Sequence, residues 1–244
     1  VTYQRSQGTF PKGPGVTANI EFELTQAMAG GASFNNVLGI NNGNDSSANV
    51  VADKELKHTV SKSWSPSTIV QKPRRDSTDK TNPASTLKIG AQNKSAYAVD
   101  SLKVSEPANG TKPFEYVEIT KFSASLGGGA SQASARLTLA MADGSTRSFA
   151  GIDATTPKPE LGIDWANVVG FDFSLVTADG AMVPRDGKFD LTVDTKLRST
   201  LLGSTAPIDE ELAKLKPAYV VPNTVSSTVA RGQETSPPKT DQAA

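Results

Sequence analysis

Val168-Val169-Gly170-Phe171-Asp172-Phe173-Ser174-Leu175-Val176 sets Val169, Phe171, Phe173 and Leu175 on one side of an extended chain and Gly170, Asp172, Ser174 and Val176 on the other. Period two is the period of a strand with one buried face. The pattern recurs on both sides of it. Leu137, Leu139 and Met141 alternate with Arg136, Thr138 and Ala140; Leu87, Ile89 and Ala91 alternate with Thr86, Lys88 and Gly90; Val16, Ala18, Ile20, Phe22 and Leu24 alternate with Thr17, Asn19, Glu21 and Glu23. Phe114 to Leu126 reads as a further strand whose face is irregular, as a bulge would make it. Asp143-Gly144 and Asp179-Gly180 fall between such runs, and Asp-Gly supplies the positive φ of a tight turn. Gly127-Gly128-Gly129 reads as a flexible turn. Short strands without crossover helices predict an all-β, antiparallel two-sheet sandwich, Ig-like or jelly-roll-like. One short helix is expected, at Pro207 to Lys216, where Ile208, Leu212 and Leu215 fall at i, i+4 and i+7.

The beginning of the chain resembles its end. Gly8-Thr9-Phe10-Pro11-Lys12-Gly13 followed by Val16 to Leu24 and then by Asn49-Val50-Val51 matches Gly180 to Gly187 followed by Lys188 to Asp194 and then by Asn223-Thr224-Val225. Pro11 and Pro184, like Asn49 and Asn223, stand about 173 residues apart, the mark of a tandem repeat. The expected organisation is therefore the closing strands of a preceding repeat over 1–55 and a complete sandwich module over 56–203. A short helix and strand then pack or link over 204–229, and a flexible linker follows over 230–244, where the sequence is polar, carries Pro237-Pro238 and lacks periodicity. Gln71 to Pro83 reads as a polar loop inside the module. A chain that starts inside one repeat and ends after the next is expected to be a piece of a longer modular protein.

Composition removes several function classes. The chain has 25 Lys and Arg against 25 Asp and Glu, so no basic footprint points to nucleic acid. It has no Cys, which excludes disulfides, thiolate metal sites and a cysteine nucleophile. No apolar run approaches the roughly 18 residues of a membrane span, and no leader opens at Val1. No membrane insertion is expected within this segment.

Three further stretches carry a family resemblance: Val60 to Ile69 with its Trp64-Ser65-Pro66 opening, Ser85 to Ser95 ending in Ala91-Gln92-Asn93-Lys94-Ser95, and Val99 to Ala108 with Leu102-Lys103-Val104-Ser105-Glu106-Pro107. Together with Pro113 to Phe122 and Val168 to Phe173, they resemble the tandem β-sandwich modules of large actinobacterial (Gram-positive) cell-surface, adhesin-like proteins. The resemblance covers residues 50 to 200. It implies an extracellular stalk anchored to the cell surface through flanking sequence, and says little about activity.

The candidate chemistry is sparse. The one histidine, His58, lies between Lys57 and Thr59 and reads as a solvated surface residue; with no G-x-S-x-G motif it makes a poor triad. Asp172, Asp190 and Asp194 fall on outward strand positions as solubilising charges. Asn41-Asn42-Gly43-Asn44-Asp45-Ser46-Ser47 gathers oxygen ligands around a glycine, with Asp45 the one charged candidate for calcium, but lacks EF-hand spacing and reads first as a turn-rich loop. A lysine crosslinked to an amide or acid would have to lie on an inward face, because a buried ammonium is costly. Lys121, on the face of Val117 and Ile119, is the candidate, unless a bulge turns it outward. Trp64, Trp165 and Tyr116 are the candidate platform for stacking a sugar, with Trp165 reading first as a core plug.

The resulting expectation is a non-enzymatic extracellular structural or adhesion module, a stalk or spacer in a repetitive surface protein, with no catalytic residue and no cofactor. Its partners would be neighbouring repeats of the same chain and a host or surface glycan or protein. The alternatives are a carbohydrate- or protein-binding sandwich and a phage or injection-system fibre component.

Overall fold

Two antiparallel sheets face one another in the computed structural model, which describes residues 33–38, 46–51, 55–69, 82–152, 162–178, 180–214 and 220–243. Ahead of them β1 (Ser33–Leu38) and β2 (Ser46–Val51) pair as a two-stranded sheet of their own. The strands of the sandwich are β3 (His58–Ser65), β4 (Ala84–Asn93), β5 (Ser101–Glu106), β6 (Val117–Gly127), β7 (Ala135–Met141), β8 (Thr146–Ala150), β9 (Val168–Val176), β10 (Lys188–Leu197), β11 (Asn223–Arg231), β12 (Glu234–Thr235) and β13 (Lys239–Ala243). One sheet has the order β3-β4-β10-β6; the other has the order β12-β11-β5-β9-β7-β8, with β13 also paired to β11. The all-β sandwich expected from the alternation is the fold. The expected helix is α1 (Ile208–Ala213), docked through the buried Ile208.

The apolar faces fill the space between the sheets. Leu87, Ile89, Phe122, Phe189, Leu191 and Val193 of one sheet meet Leu102, Val104, Leu137, Phe173, Leu175 and Val229 of the other, all at most 3% exposed. Phe173 and Phe189 meet edge to face across the sheets with ring centroids 4.8 Å apart, and Phe122 meets Phe171 in the same way at 5.4 Å. The phase of β9 slips at its start: Val168 is buried and Val169 only half-buried, because the register to β7 shifts between Ala140 and Met141. The irregular face of β6 is a bulge. Its register to β10 shifts between Asp194 and Thr195, so Thr120 is passed over and Lys121 faces solvent opposite Asp194.

The tail beyond residue 230 is not a linker. β12 and β13 both fold back on β11, and β13 covers it from Asn223 to Ser227. Their signal is faint because an exposed edge strand needs no apolar face; what holds it is the backbone ladder to β11 together with polar side chains such as the buried Ser236, whose Oγ accepts from the Val229 N–H. β11 is likewise an integral strand between β5 and the tail, so the sandwich extends past residue 203 to Ala243. Gly127-Gly128-Gly129 is shaped by contact: Gly128 has φ +63°, and a Cβ there would collide with the Asp186 carbonyl oxygen.

Candidate functional site: a buried lysine, glutamate and asparagine

Lys62 lies on the inner face of β3. Burial along that strand alternates, with His58 and Lys62 buried and Val60 and Trp64 packed against the core. Apolar neighbours two residues before and after carry the lysine inward, where its Nζ donates to Glu106 Oε1 at 2.7 Å and Oε2 at 2.6 Å. Neither side chain has any exposed surface. Glu106 ends β5 after the buried Leu102 and Val104, so the same alternation aims it inward. Asn223 opens β11 ahead of Val225, Ser227 and Val229 and is 2% exposed. The β5–β11 register sets Ser105 opposite Ser226, which makes Asn223 a diagonal, same-face neighbour of Glu106.

Contacts between β3 and β11 bring the third side chain to the first. His58 Nε2 donates to the Ser227 carbonyl at 2.8 Å, and its Nδ1 accepts from Ser236 Oγ at 3.4 Å. Beside them Lys239 Nζ donates to the His58 carbonyl at 2.7 Å, and the Lys62 N–H donates to Asp241 Oδ2 at 2.7 Å. β13 therefore runs alongside β3 in the same direction, and β11, antiparallel to β13, runs opposite to β3. Four residues forward from His58 is Lys62, and four residues back from Ser227 is Asn223, so the two stand at one level of the sandwich. His58 is thus a buried strut, not the solvated residue expected; burial lowers its pKa, partly offset by the bond to Ser227.

The cluster is electrostatically unusual. Burial pushes Glu106 up to about 7 from 4.5, against the opposing pull of Lys62 and a smaller one from Asn223. Burial pushes Lys62 down to about 8 from 10.5, against the pull of Glu106. The acidities of the ammonium and the carboxylic acid, far apart in water, are thus drawn toward one another, because the apolar surroundings disfavour both charges. Asn223 lies near enough to influence Glu106, yet neither its Oδ1 nor its Nδ2 makes a hydrogen bond of normal length and angle. A buried primary amide left in that state costs about 1–3 kcal/mol for each unpaired group.

Lys121, the lysine singled out for a crosslink, is exposed through the bulge beside it. Trp165 is 2% exposed and stacks on Phe122 at 6.2 Å inside the core, where it cannot present a face to a sugar. Trp64 and Tyr116 are partly buried and pack against the same core. Asp45 lies outside the described residues, among which no group of three His, Cys, Asp or Glu could hold a metal ion. Asp172 pairs with Lys103 at 2.6 Å on the outer face.

The signal for the cluster was present in the sequence. Val60-x-Lys62-x-Trp64, Leu102-x-Val104-x-Glu106 and Asn223-x-Val225 each continue an apolar alternation with a polar residue, the same reasoning that pointed to Lys121. Nothing in spacing alone shows that three strands distant in sequence converge. The Asn93-x-Ser95 motif proves to be scaffolding: Asn93 Nδ2 donates to the carbonyls of Tyr97 and Pro184, and its Oδ1 accepts from the Ser95 N–H.

No known protein family matches this sequence, and no curated protein does. Among solved structures, a serine-rich repeat protein (Srr2) from Streptococcus agalactiae is similar at a TM-score of 0.27 and 9% identity, over 89% of this chain. This chain spans 57% of the length of that structure. Among the described residues no helix is long and apolar enough to cross a membrane.

Proposed function

We propose that this chain is a structural module of a repetitive cell-surface protein, a stalk or spacer that transmits tension and is not an enzyme. The observation that carries the reading is the path of the chain through the sandwich. It enters along β3 beside Ser227 and Lys239, and β13 ends at Ala243, opposite Asn223. Entry and exit are thus four residue steps apart, the distance from His58 to Lys62 along β3, about 13 Å at strand rise. A pull on the two ends shears β3 against β11 and β13, loading their mutual contacts together instead of peeling them one by one. The tandem repeat adds length in proportion to copy number. The extracellular site and the glycan or protein partner belong to the same proposal, supported by the resemblance to surface modules.

Stretching the chain between its two ends in a single-molecule force instrument tests the mechanical part, with shear-type resistance expected. Extension of the sandwich at the low force of strand peeling would overturn it. Protease treatment of intact cells that make the protein tests the location: peptides from 58–243 should be released without lysis.

A further inference from the structure

We infer that Lys62 and Asn223 form an intramolecular amide crosslink between β3 and β11, with Glu106 as the group that moves the protons. The inference goes beyond the stalk reading and does not require it, since the reacting groups are all inside one sandwich.

Three observations lead to it. A lysine whose side chain has no exposed surface has its Nζ held by both oxygens of one carboxylate, which is equally buried. An asparagine 2% exposed lies on the same inner face, at the level of Lys62, with neither end of its amide hydrogen-bonded. The apolar wall around them, including Val60, Trp64, Val104 and Val225, excludes the water that would stabilise the separate charges. A buried lysine–glutamate pair alone is a poor stabilising device. An amide that makes no hydrogen bond of normal geometry is poorer still, so as an inert arrangement the cluster has only costs.

As reactants the same groups are complementary. Lys62 passes a proton to Glu106 and becomes a neutral amine. Its Nζ lone pair attacks Asn223 Cγ, and the protonated Glu106 hydrogen-bonds the oxygen that gains charge, Oδ1. Glu106 then carries the second Nζ proton to Nδ2, the Cγ–Nδ2 bond breaks, and ammonia leaves. One amine and one primary amide become one secondary amide and one ammonia; no oxidant, reductant or cofactor enters. The product also removes what was costly, because the lysine loses its charge and the carboxylic acid keeps a carbonyl to donate to.

The test is the intact mass of the folded chain, confirmed folded by circular dichroism and then denatured for mass spectrometry, with a tryptic map. The parent should weigh about 17 Da less than its sequence, the mass of one ammonia. The map should show a branched species in which the peptide ending at Arg231 is joined to one left uncut at Lys62. Asn223→Ala and Glu106→Gln should both return the full sequence mass. Asn223→Asp provides a further check, since loss of water from it yields the same product as loss of ammonia from the parent. A folded parent at its full sequence mass overturns the inference, as does a loss that maps to any other pair of residues. Because the parent decides the matter, a variant that fails to fold does not leave it open. A full-mass parent that still resists shear would leave the stalk reading standing.

Discussion

Replacing Asn223 by alanine separates a crosslinked sandwich from one that is merely packed, because the two predict opposite signs. Neither end of the Asn223 amide makes a hydrogen bond of normal geometry, so in an uncrosslinked chain Asn223→Ala removes two poorly satisfied buried polar atoms and leaves a small cavity, a neutral or mildly stabilising change. In a crosslinked chain it opens a covalent loop of about 160 residues, from Lys62 to Asn223. The chain-entropy relation for a loop of that length gives about 5 kcal/mol of stabilisation from restricting the unfolded state. For a domain of this size each kcal/mol corresponds to about 2–4 °C, so the melting temperature should fall by about 10–20 °C. The assay is thermal unfolding followed by circular dichroism or calorimetry, on parent and variant at the same pH. A variant that melts within a degree or two of the parent, or above it, would refute the reasoning.

Glu106→Gln removes the carboxylate that holds Lys62 charged, so the buried lysine must either give up its proton or stay unpaired, costing about 3–5 kcal/mol in urea denaturation relative to Asn223→Ala. An unchanged midpoint would show that water reaches the lysine. The uncrosslinked Asn223→Ala chain should also show a stability minimum between about pH 7 and 8. Glu106, held above the ordinary carboxylate range, makes the folded state bind more protons below about 7, so stability is lost as pH rises through that value. Lys62, held below the ordinary lysine range, makes the unfolded state bind more protons above about 8, so stability returns as pH rises further. Denaturation midpoints at pH 5.5, 7.5 and 9.5, referenced to a Lys62→Met/Glu106→Leu/Asn223→Ala chain, should give a minimum at the middle value, and a flat difference would contradict the buried pair. Arg198→Met should cost about 3 kcal/mol by chemical denaturation, since the guanidinium donates to the carbonyls of Phe114, Val117 and Ala166 from a largely buried position. Gly128→Ala should lower the melting temperature by several degrees at a cost of about 2 kcal/mol, because the positive φ and the Asp186 carbonyl both oppose a Cβ. Parent-like melting would mean that the turn relaxes freely.

Period-two alternation was enough to predict β4, β7, β9 and the class of fold, because a half-buried strand writes its two faces directly into the order of residues. The helix at Ile208 was legible for the corresponding reason of period. The tail strands β12 and β13 were not, since an exposed edge is held by backbone pairing to which every residue contributes alike. Nor was the burial of His58, which rests on a carbonyl 169 residues away in sequence. For the site, the sequence could say that Lys62, Glu106 and Asn223 each sit in an inward-facing position of a strand, as it could for Lys121. A local bulge, visible only in the register to β10, turned Lys121 out. What brought the other three together was the pairing of β11 with β5 and the placement of β3 beside β11 and β13, contacts spanning the whole module. Side-chain direction is a local property that the sequence by itself determines; which inward-facing groups meet is decided by strand order and register, and those exist only once the two sheets close on one another.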